Sequence, residues 1–448
     1  MANEEKRNFT GYIIFWLGQL ASMAGSNVVG FGLTWWITVE TESAFFLGLA
    51  ASLGFGSFIA ALPIAGVLVD RWSRKKIIAI SDSLLAGSML LLLLLFATGQ
   101  ATIWHVLMLR PIQGVLGAFH QNAVDAIVPL MVPKKRLSRM NGLQYLATSL
   151  INTLGPAAGA LVYTLLAGDM AKILWIDIGT YLIAIVPTIL VFIPVIKAKK
   201  ERGEKSSFKA EFGEGLTFIR ETPGLLTLLS VFTVGNFLLT PLFVLLPLFT
   251  TNVVALGDEN IAVIMLATLM FLQNLSMVSA SMFMSFWKGF KRNVVGVVLG
   301  LSCGAFGVFI LGVAPAGVLW VAVLGILLVG LTIPIANVAS QTIWQSVVPP
   351  EKIGRVFSVR QTIAQFTGPI AMFLCGIVAE FFGTQIVFLG SGLLMISFLI
   401  FAWVFTGLSH VEESIKTKTE ERIDDPSETE GVTPTFSSEE RTPAGIEE

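Results

Sequence analysis

Gly66-Val67-Leu68-Val69-Asp70-Arg71-Trp72-Ser73-Arg74-Lys75-Lys76 (GVLVDRWSRKK) ends a long apolar run on a carboxylate, then sets four basic residues within six positions. Apolar sequence lies on both sides, and each flank is long enough to cross a bilayer, which takes about 20 apolar residues as a helix. The stretch therefore reads as a short polar joint between two membrane segments. The positive-inside rule accounts for its cations but does not require Asp70.

The rest of the chain agrees with this reading. Of 448 residues, 54% are hydrophobic and 13% charged, against ~25% charged in an average soluble domain, and the mean hydropathy is +0.78. Runs such as Ser88 to Ala97 (SMLLLLLLFA) have no polar face to turn to water, so lipid must be their solvent. The fold class expected is all-α and integral to the membrane. Twelve spans are predicted near 10–38, 44–69, 77–98, 102–124, 140–166, 172–196, 223–249, 260–285, 293–313, 316–342, 355–381 and 384–408. The first is too long for a cleavable signal and has no small-residue cleavage site behind it, so it is expected to stay.

Basic residues set the orientation. One set of loops holds Arg71/Arg74/Lys75/Lys76, Lys134/Lys135/Arg136/Arg139, Lys197/Lys199/Lys200, Lys288/Lys291/Arg292 and Lys352/Arg355. The opposite loops hold Glu40/Glu42, Asp169/Lys172 and Asp258/Glu259. Both termini are then cytoplasmic. The domains expected are a six-helix bundle over 1–196, a cytoplasmic linker over 197–222, a second bundle over 223–408 and an acidic disordered tail over 409–448. In the linker, Phe208, Phe212, Leu216 and Ile219 fall at helical spacing, which predicts an amphipathic helix against the membrane face. Two glycines weaken that pattern. The tail carries twelve Asp or Glu against four Lys or Arg, a composition that cannot build a core. Cys303 and Cys375 lie in apolar runs and offer neither a disulfide nor a metal framework.

The two sets of six are related. VPKKRLSR from Val132 returns as VPPEKIGR from Val348, a shift of 216 residues that also carries Gly114 onto Gly330 and Asp125 onto Gln341. Gly155-Pro156 has a counterpart, Gly368-Pro369, displaced by three residues, and the opening stretch falls on MFMSFWKGFKR from Met282 to Arg292. Six spans per copy place both copies in one orientation, as parallel repeats about an axis along the membrane normal.

On these motifs the chain resembles the major facilitator superfamily over residues ~10–408, the length of the spans. GVLVDRWSRKK matches the signature between the second and third helices of that superfamily, with Ser73 in place of its second glycine. LRPIQGVLGA (Leu109 to Ala118) matches the fourth-helix signature, and LGPAAGA (Leu154 to Ala160) resembles the fifth-helix signature of antiporters. SLINTLGPAAGALV, WIDIGTYLIAI and EGLTFIRETPGL look most similar to macrolide-efflux and siderophore-exporter types. The resemblance implies a cell-membrane drug:proton antiporter that confers antibiotic resistance.

Individual residues can then be assigned expectations. Gly66, Asp70, Arg71, Arg74 and Lys75 form a cytoplasmic gating latch, present in the first copy only, because Phe286 and Trp287 stand where Asp70 and Arg71 would recur. Arg110, with Gln113 and Gly114, should line a cavity, since an intramembrane charge needs a partner or a polar path. Asp82 and Asp177 are candidate proton carriers, Asp82 being near enough to the basic loop to meet it; Glu380 is a weaker one. Gly155, Pro156 and Gly159 bend the fifth helix and let a neighbour approach, and by resemblance serve antiport. Gln19, Ser26, Asn27, Asn236, Asn337 and Gln341 are candidates for a large apolar substrate cavity with few hydrogen-bonding groups, suited to amphiphilic molecules. Trp35 and Trp36 are read as interfacial belt residues, and His105 and His120 as polar packing residues that could titrate near neutrality.

No Walker A sequence, metal-ligand spacing or nucleophile–base set is present in the sequence, so neither direct ATP drive nor chemistry on the substrate is expected. The reading is of a monomeric secondary exporter of hydrophobic or amphiphilic compounds. It has no cofactor and no nucleic-acid partner, is driven by the proton gradient and works by alternating access. A dedicated metabolite or siderophore exporter of the same fold is the nearest alternative. A transport-inactive sensor or scaffold acting through the acidic tail is a second.

Overall fold

The computed structural model of the chain describes residues 2–192, 208–222, 224–349, 352–406 and 408, with backbone alone at 2–7, 70 and 208–211. The expected disordered tail and residues 197–207 of the connecting linker lie outside the described residues. So does the side chain of Asp70.

Thirteen α-helices follow one another among the described residues. They are α1 (Ala2–Thr41), α2 (Ala44–Arg71), α3 (Arg74–Ala97), α4 (Ile103–Met131), α5 (Leu137–Leu165), α6 (Met170–Leu190), α7 (Phe208–Glu221), α8 (Leu225–Phe249), α9 (Glu259–Phe286), α10 (Asn293–Gly312), α11 (Leu319–Val347), α12 (Ile353–Phe382) and α13 (Thr384–Phe405). Eleven segments are long and apolar enough to cross a membrane: all of these helices except α4 and the short α7. The 29-residue α4 has the length, but Arg110, Gln113, His120, Gln121, Asn122 and Asp125 dilute its apolar character.

The sparsely basic loops are built from helix caps. Ser43 accepts from the Phe46 amide, Asp169 from Lys172 and Asp258 from Ile261, each supplying a partner to an N-terminal N–H that the helix leaves unpaired. A side-chain hydrogen bond from Lys172 holds the Asp169 carboxyl below the usual carboxylate range. His105 belongs to the same class of residue: its Nδ1 accepts from the Thr102 amide at 3.1 Å, closing a capping box at the start of α4.

Packing falls into two groups. In the first, α1 packs on α6, α5 and α4, while α4 packs on α2 and α3 and α3 on α6; in the second, α10 packs on α11 and α13, α9 on α11, and α8 on α12 and α13. The main contacts between groups are α2 with α12 and α5 with α9. Glycines set how closely helices approach. A Cβ at Gly114 would fall 2.3 Å from the Gly54 carbonyl oxygen, and one at Gly330 would fall 2.5 Å from that of Gln273. The two positions related by the 216-residue shift thus do the same job, α4 on α2 and α11 on α9.

The two ends of the molecule differ. At the end carrying Glu40, Asp169 and Asp258, one apolar core unites both groups: Leu33, Trp35 and Leu92 pack in the same cluster as Phe249, Leu266 and Phe388. At the end carrying the basic loops there are two separate cores, one around Tyr12, Phe15, Ile78 and Ile127, the other around Leu228, Val297, Ile343 and Trp344. Trp35, expected in an interfacial belt, is 1% exposed inside the shared core. Trp36 packs edge-on against Phe96, ring centroids 5.0 Å apart.

The amphipathic segment in the linker forms α7 and seats Ile219 in the second group's core, with Phe212 and Leu216 packed beside it. Gly215, one of the two glycines that weakened the prediction, is what permits the docking. A Cβ there would lie 2.9 Å from the Arg355 carbonyl oxygen, and Glu214 accepts a hydrogen bond from Arg355 at the same contact.

Candidate functional site: a two-chamber cavity beside a buried polar seam

Two neighbouring cavities lie between the groups, and Phe55 of α2 lines both. The larger, about 590 Å³, is walled mainly by α8, α11 and α12. Asn236 on α8 and the i, i+4 pair Asn337 and Gln341 on α11 face it, as do Arg360, Gln361 and Gln365 on α12. Helical periodicity explains the last group, since positions three or four apart share a face. Arg360 is held on all sides. Its Nη1 donates to Gln341 Oε1 at 3.0 Å and its Nη2 to Ser340 Oγ at 3.3 Å. The guanidinium carbon stands 5.2, 5.5 and 5.9 Å from the ring centroids of Trp344, Phe357 and Phe232, within cation–π range.

The smaller chamber, about 430 Å³, is walled by α1, α2, α4 and α8 and contains Arg110, Gln113 and Gly114 among Thr34, Ile37, Leu47 and Phe243. Gln113 donates to Ser88 at 3.3 Å. The Nε of Arg110 is buried without a hydrogen-bond partner among the described residues. Neither chamber is lined by an Asp or a Glu.

The buried acids are elsewhere, in a polar seam where α1 and α6 meet α3 and α4. Asp82 is 1% exposed. Its Oδ1 lies 3.2 Å from His120 Nε2, and its Oδ2 accepts from Gln19 at 3.4 Å. Gln19 also lies 3.0 Å from His120 through Oε1 and donates to Thr188 at 3.4 Å. Two turns along α1, Ser26 donates to Asp177 Oδ1 at 2.8 Å, and its Oγ lies 3.4 Å from the Tyr181 hydroxyl. Asp177 is fully buried, and its Oδ2 has no hydrogen-bond partner among the described residues. Asp82 therefore meets His120 rather than the basic loop expected from its sequence position. The reason is rotational: its face of α3 turns inward to α1, α4 and α6. This seam brings together two carboxylates and an imidazole, groups able to exchange a proton, with a phenol and the Gln19 carboxamide hydrogen-bonded beside them.

The candidate residues fall into distinct places. Asn236, Asn337 and Gln341 line the larger chamber and Arg110, Gln113 and Gly114 the smaller one. Gln19 and Ser26 belong to the seam, and Asn27 donates to its own helix at Met23. Gly155 and Gly159 seat α5 against α1, with ideal Cβ atoms 2.9 Å from Asn27 Cβ and 2.8 Å from Phe31 Cβ. Pro156 is buried between them.

In the basic joint, Arg71 is exposed and Arg74 half-buried. Lys75 reaches across to α6 and donates to the Ile189 and Val191 carbonyl oxygens at 2.6 and 2.8 Å, a cation at a helix C-terminus. Ser73, where the signature has glycine, has φ −68°, backbone that any residue adopts. At Gly66 a Cβ would meet nothing within 4 Å. Glu380 clasps the opposite end, accepting from Ser43 Oγ at 2.9 Å and the Phe45 amide at 3.0 Å at the start of α2.

Arg360, Gln361 and Gln365 were not singled out by sequence. Arg360 falls inside the predicted span 355–381, one turn past the loop cations Lys352 and Arg355. The stripe Phe357, Arg360, Gln361, Ala364, Gln365 and Gly368 at three- and four-residue spacing was the available signal.

Comparison with known proteins is consistent across sequence and fold. Macrolide efflux protein A of Streptococcus pyogenes is 26% identical over 389 residues, 87% of this chain and 94% of that protein. The multidrug efflux pump Tap of Mycolicibacterium fortuitum is 26% identical over 84% of this chain and 91% of its own. Enterobactin exporter EntS of Shigella boydii matches a shorter stretch, 146 residues at 23%, or 33% of this chain and 35% of that one. Among solved structures, the nucleoside transporter NupG superposes with TM-score 0.64 at 13% identity over 88% of this chain and 99% of its own. A bacterial homologue of the human lysosomal transporter Spinster, inward-facing and occupied, superposes with TM-score 0.64 at 14% identity, covering 92% and 98%. The profile of the Major Facilitator Superfamily matches residues 15–372 and 298–444. This chain belongs to that superfamily, as a multi-pass transporter of the cell membrane with efflux-type relatives and not an enzyme.

Proposed function

We propose that the protein is a proton-coupled antiporter that exports hydrophobic or amphiphilic compounds by alternating access. The observation that carries the reading is the contrast of a single apolar core at one end and two separate cores at the other, with the chambers between. Two bundles sealed at one end and parted at the other give substrate one route in, and rocking about the shared contacts would exchange the ends. In this reading α1–α6 and α8–α13 are twelve spans in two bundles. The basic, parted end is cytoplasmic and so are both termini. α4 is counted as a span because Trp104, Met108, Ile112 and Val115 are exposed on one apolar stripe, while Arg110 and Gln113 face the smaller chamber and His120 the seam.

Protons would be taken by the seam. Asp82 and His120 share a short contact beside Gln19, and Asp177 has a bare buried oxygen. Proton occupancy of this cluster would change how α1, α3, α4 and α6 hold together, and so which end is parted. Drug-like substrates are suggested by the relatives named for macrolide and multidrug efflux.

The test is purified protein in liposomes with an imposed pH gradient and a panel of amphiphilic compounds, macrolides among them. Gradient-dependent flux that a protonophore abolishes is expected. Flux that ignores the gradient would sink the proton coupling. A chain truncated at 409 should transport normally, whereas a scaffold acting through the tail would lose its output.

A further inference from the structure

The charge balance of the two chambers bears on what they take. Arg360 and Arg110 are their only charged lining residues among those described, and no carboxylate lines either wall. An arginine in the membrane interior is costly and is normally paired. Here Arg360 is neutralised by no acid. It rests on three aromatic faces and two neutral acceptors, which fix its position while leaving most of its N–H donors uncommitted. Arg110 keeps its Nε without a partner. The rest of the larger wall is carboxamide and aromatic: Asn236, Asn337, Gln361, Gln365, Phe55 and Phe232. Such a wall donates hydrogen bonds, receives rings and repels cations.

We propose that the preferred substrate is an amphiphile with an anionic head group of the carboxylate type. Its head is bound by Arg360 with Gln341 and the neighbouring carboxamides. Its apolar body runs past Phe55 towards the smaller chamber. A planar guanidinium pairs with a carboxylate through parallel charge-assisted hydrogen bonds, and the pair would give Arg360 the counter-charge its surroundings lack. A cationic amphiphile of equal size would face two arginines with no acid to receive it. The inference rests on the export reading, but its test does not use a gradient.

The experiment measures equilibrium binding by calorimetry to the full chain in nanodiscs, with empty nanodiscs subtracted. The probes share one naphthyl-alkyl body and end in a carboxylate, a methyl ester or a primary amine. The carboxylate should bind at least ~10-fold more tightly than the ester, with the amine weakest. Arg360→Gln should bring carboxylate and ester within ~2-fold of each other, and Arg360→Lys should keep part of the preference. Asn337→Asp, which adds an acid to the wall and leaves Arg360 in place, should shift the ranking towards the amine. Binding of the amine as tight as the carboxylate overturns the proposal, as do indistinguishable or undetectable binding of all three and a carboxylate preference that survives in a folded Arg360→Gln. Loss of gradient-driven flux with the ranking retained would break the coupling reading and leave this inference standing. Coupled flux with the ranking reversed would do the opposite.

Discussion

The first six helices and the last six are built on one packing plan and carry opposite chemistry. Gly114 lets α4 sit on α2, and Gly330, 216 residues later, lets α11 sit on α9. Yet the same shift carries Asp82 onto Val298, His120 onto Ala336 and Arg110 onto Ile326. The first group keeps its buried acids, Asp82 and Asp177, in a seam away from the chambers. The second has no such seam among the described residues and points carboxamides and Arg360 into the larger chamber. Packing follows from backbone approach, which tolerates few residue types at a helix contact. Polar chemistry does not need to repeat, so the copies are free to divide the work; the proposals above put protons on one side and the substrate head group on the other.

The sharpest way to break that division is Asp82→Asn. Gradient-driven flux in liposomes should fall at least ~10-fold, because the group proposed to exchange the proton is gone, while the calorimetric affinity of the carboxylate probe stays within ~2-fold. If binding fell in step with flux, the seam and the chambers would not be separate. Gly66→Met comes next, since Met282 is the residue the second copy has at that place, and it is 59% exposed. A Cβ at Gly66 meets nothing, so the thermal midpoint should move little, whereas flux should drop several-fold (~3–10) if the parted end must close over this glycine. Unchanged flux would mean that α2 never needs a close approach there.

Gly114→Ala and Gly330→Ala test the shared plan. Each should cost roughly 1–3 kcal/mol of stability through overpacking, seen as a lowered unfolding midpoint, and the two costs should be similar. The smallest effect separates Lys75 from its counterpart Lys291. Lys75→Met removes two donors from the end of α6 and should cost about 1–2 kcal/mol. Lys291 is exposed, so Lys291→Met should stay within ~0.5 kcal/mol; equal costs would show that the α6 contact contributes nothing.

Much of this architecture is legible from periodicity. Apolar run lengths predict the helices, the 216-residue repeat anticipates the Gly114 and Gly330 contacts, and Phe212, Leu216 and Ile219 mark the docked face of α7. The site is legible only in part, because a helix's sequence shows which residues share a face but not which helix that face meets. Asp82 is an example: distance along α3 puts it near the basic joint, and rotation turns it to His120. Trp35 fails for a related reason. Its place near a span end suits an interface, but the shared core reaches that far and buries it. Arg360 was hidden by its charged neighbours, and only the stripe of amides below it could have set it apart.

The uneven cores also have a consequence for occupancy. Moving a two-state population from one part in a hundred to ninety-nine takes about 5.5 kcal/mol, and separating roughly 220 Å² of apolar surface costs that much. Under the alternating access proposed above, the shared core around Trp35, Phe249 and Phe388 would come apart once in every cycle. Unless the parted end regains a comparable apolar area on closing, the molecule would idle in one state whatever the gradient supplies. In that mechanism turnover would be set in part by side chains that touch neither proton nor cargo, through the match between the apolar areas the two ends exchange.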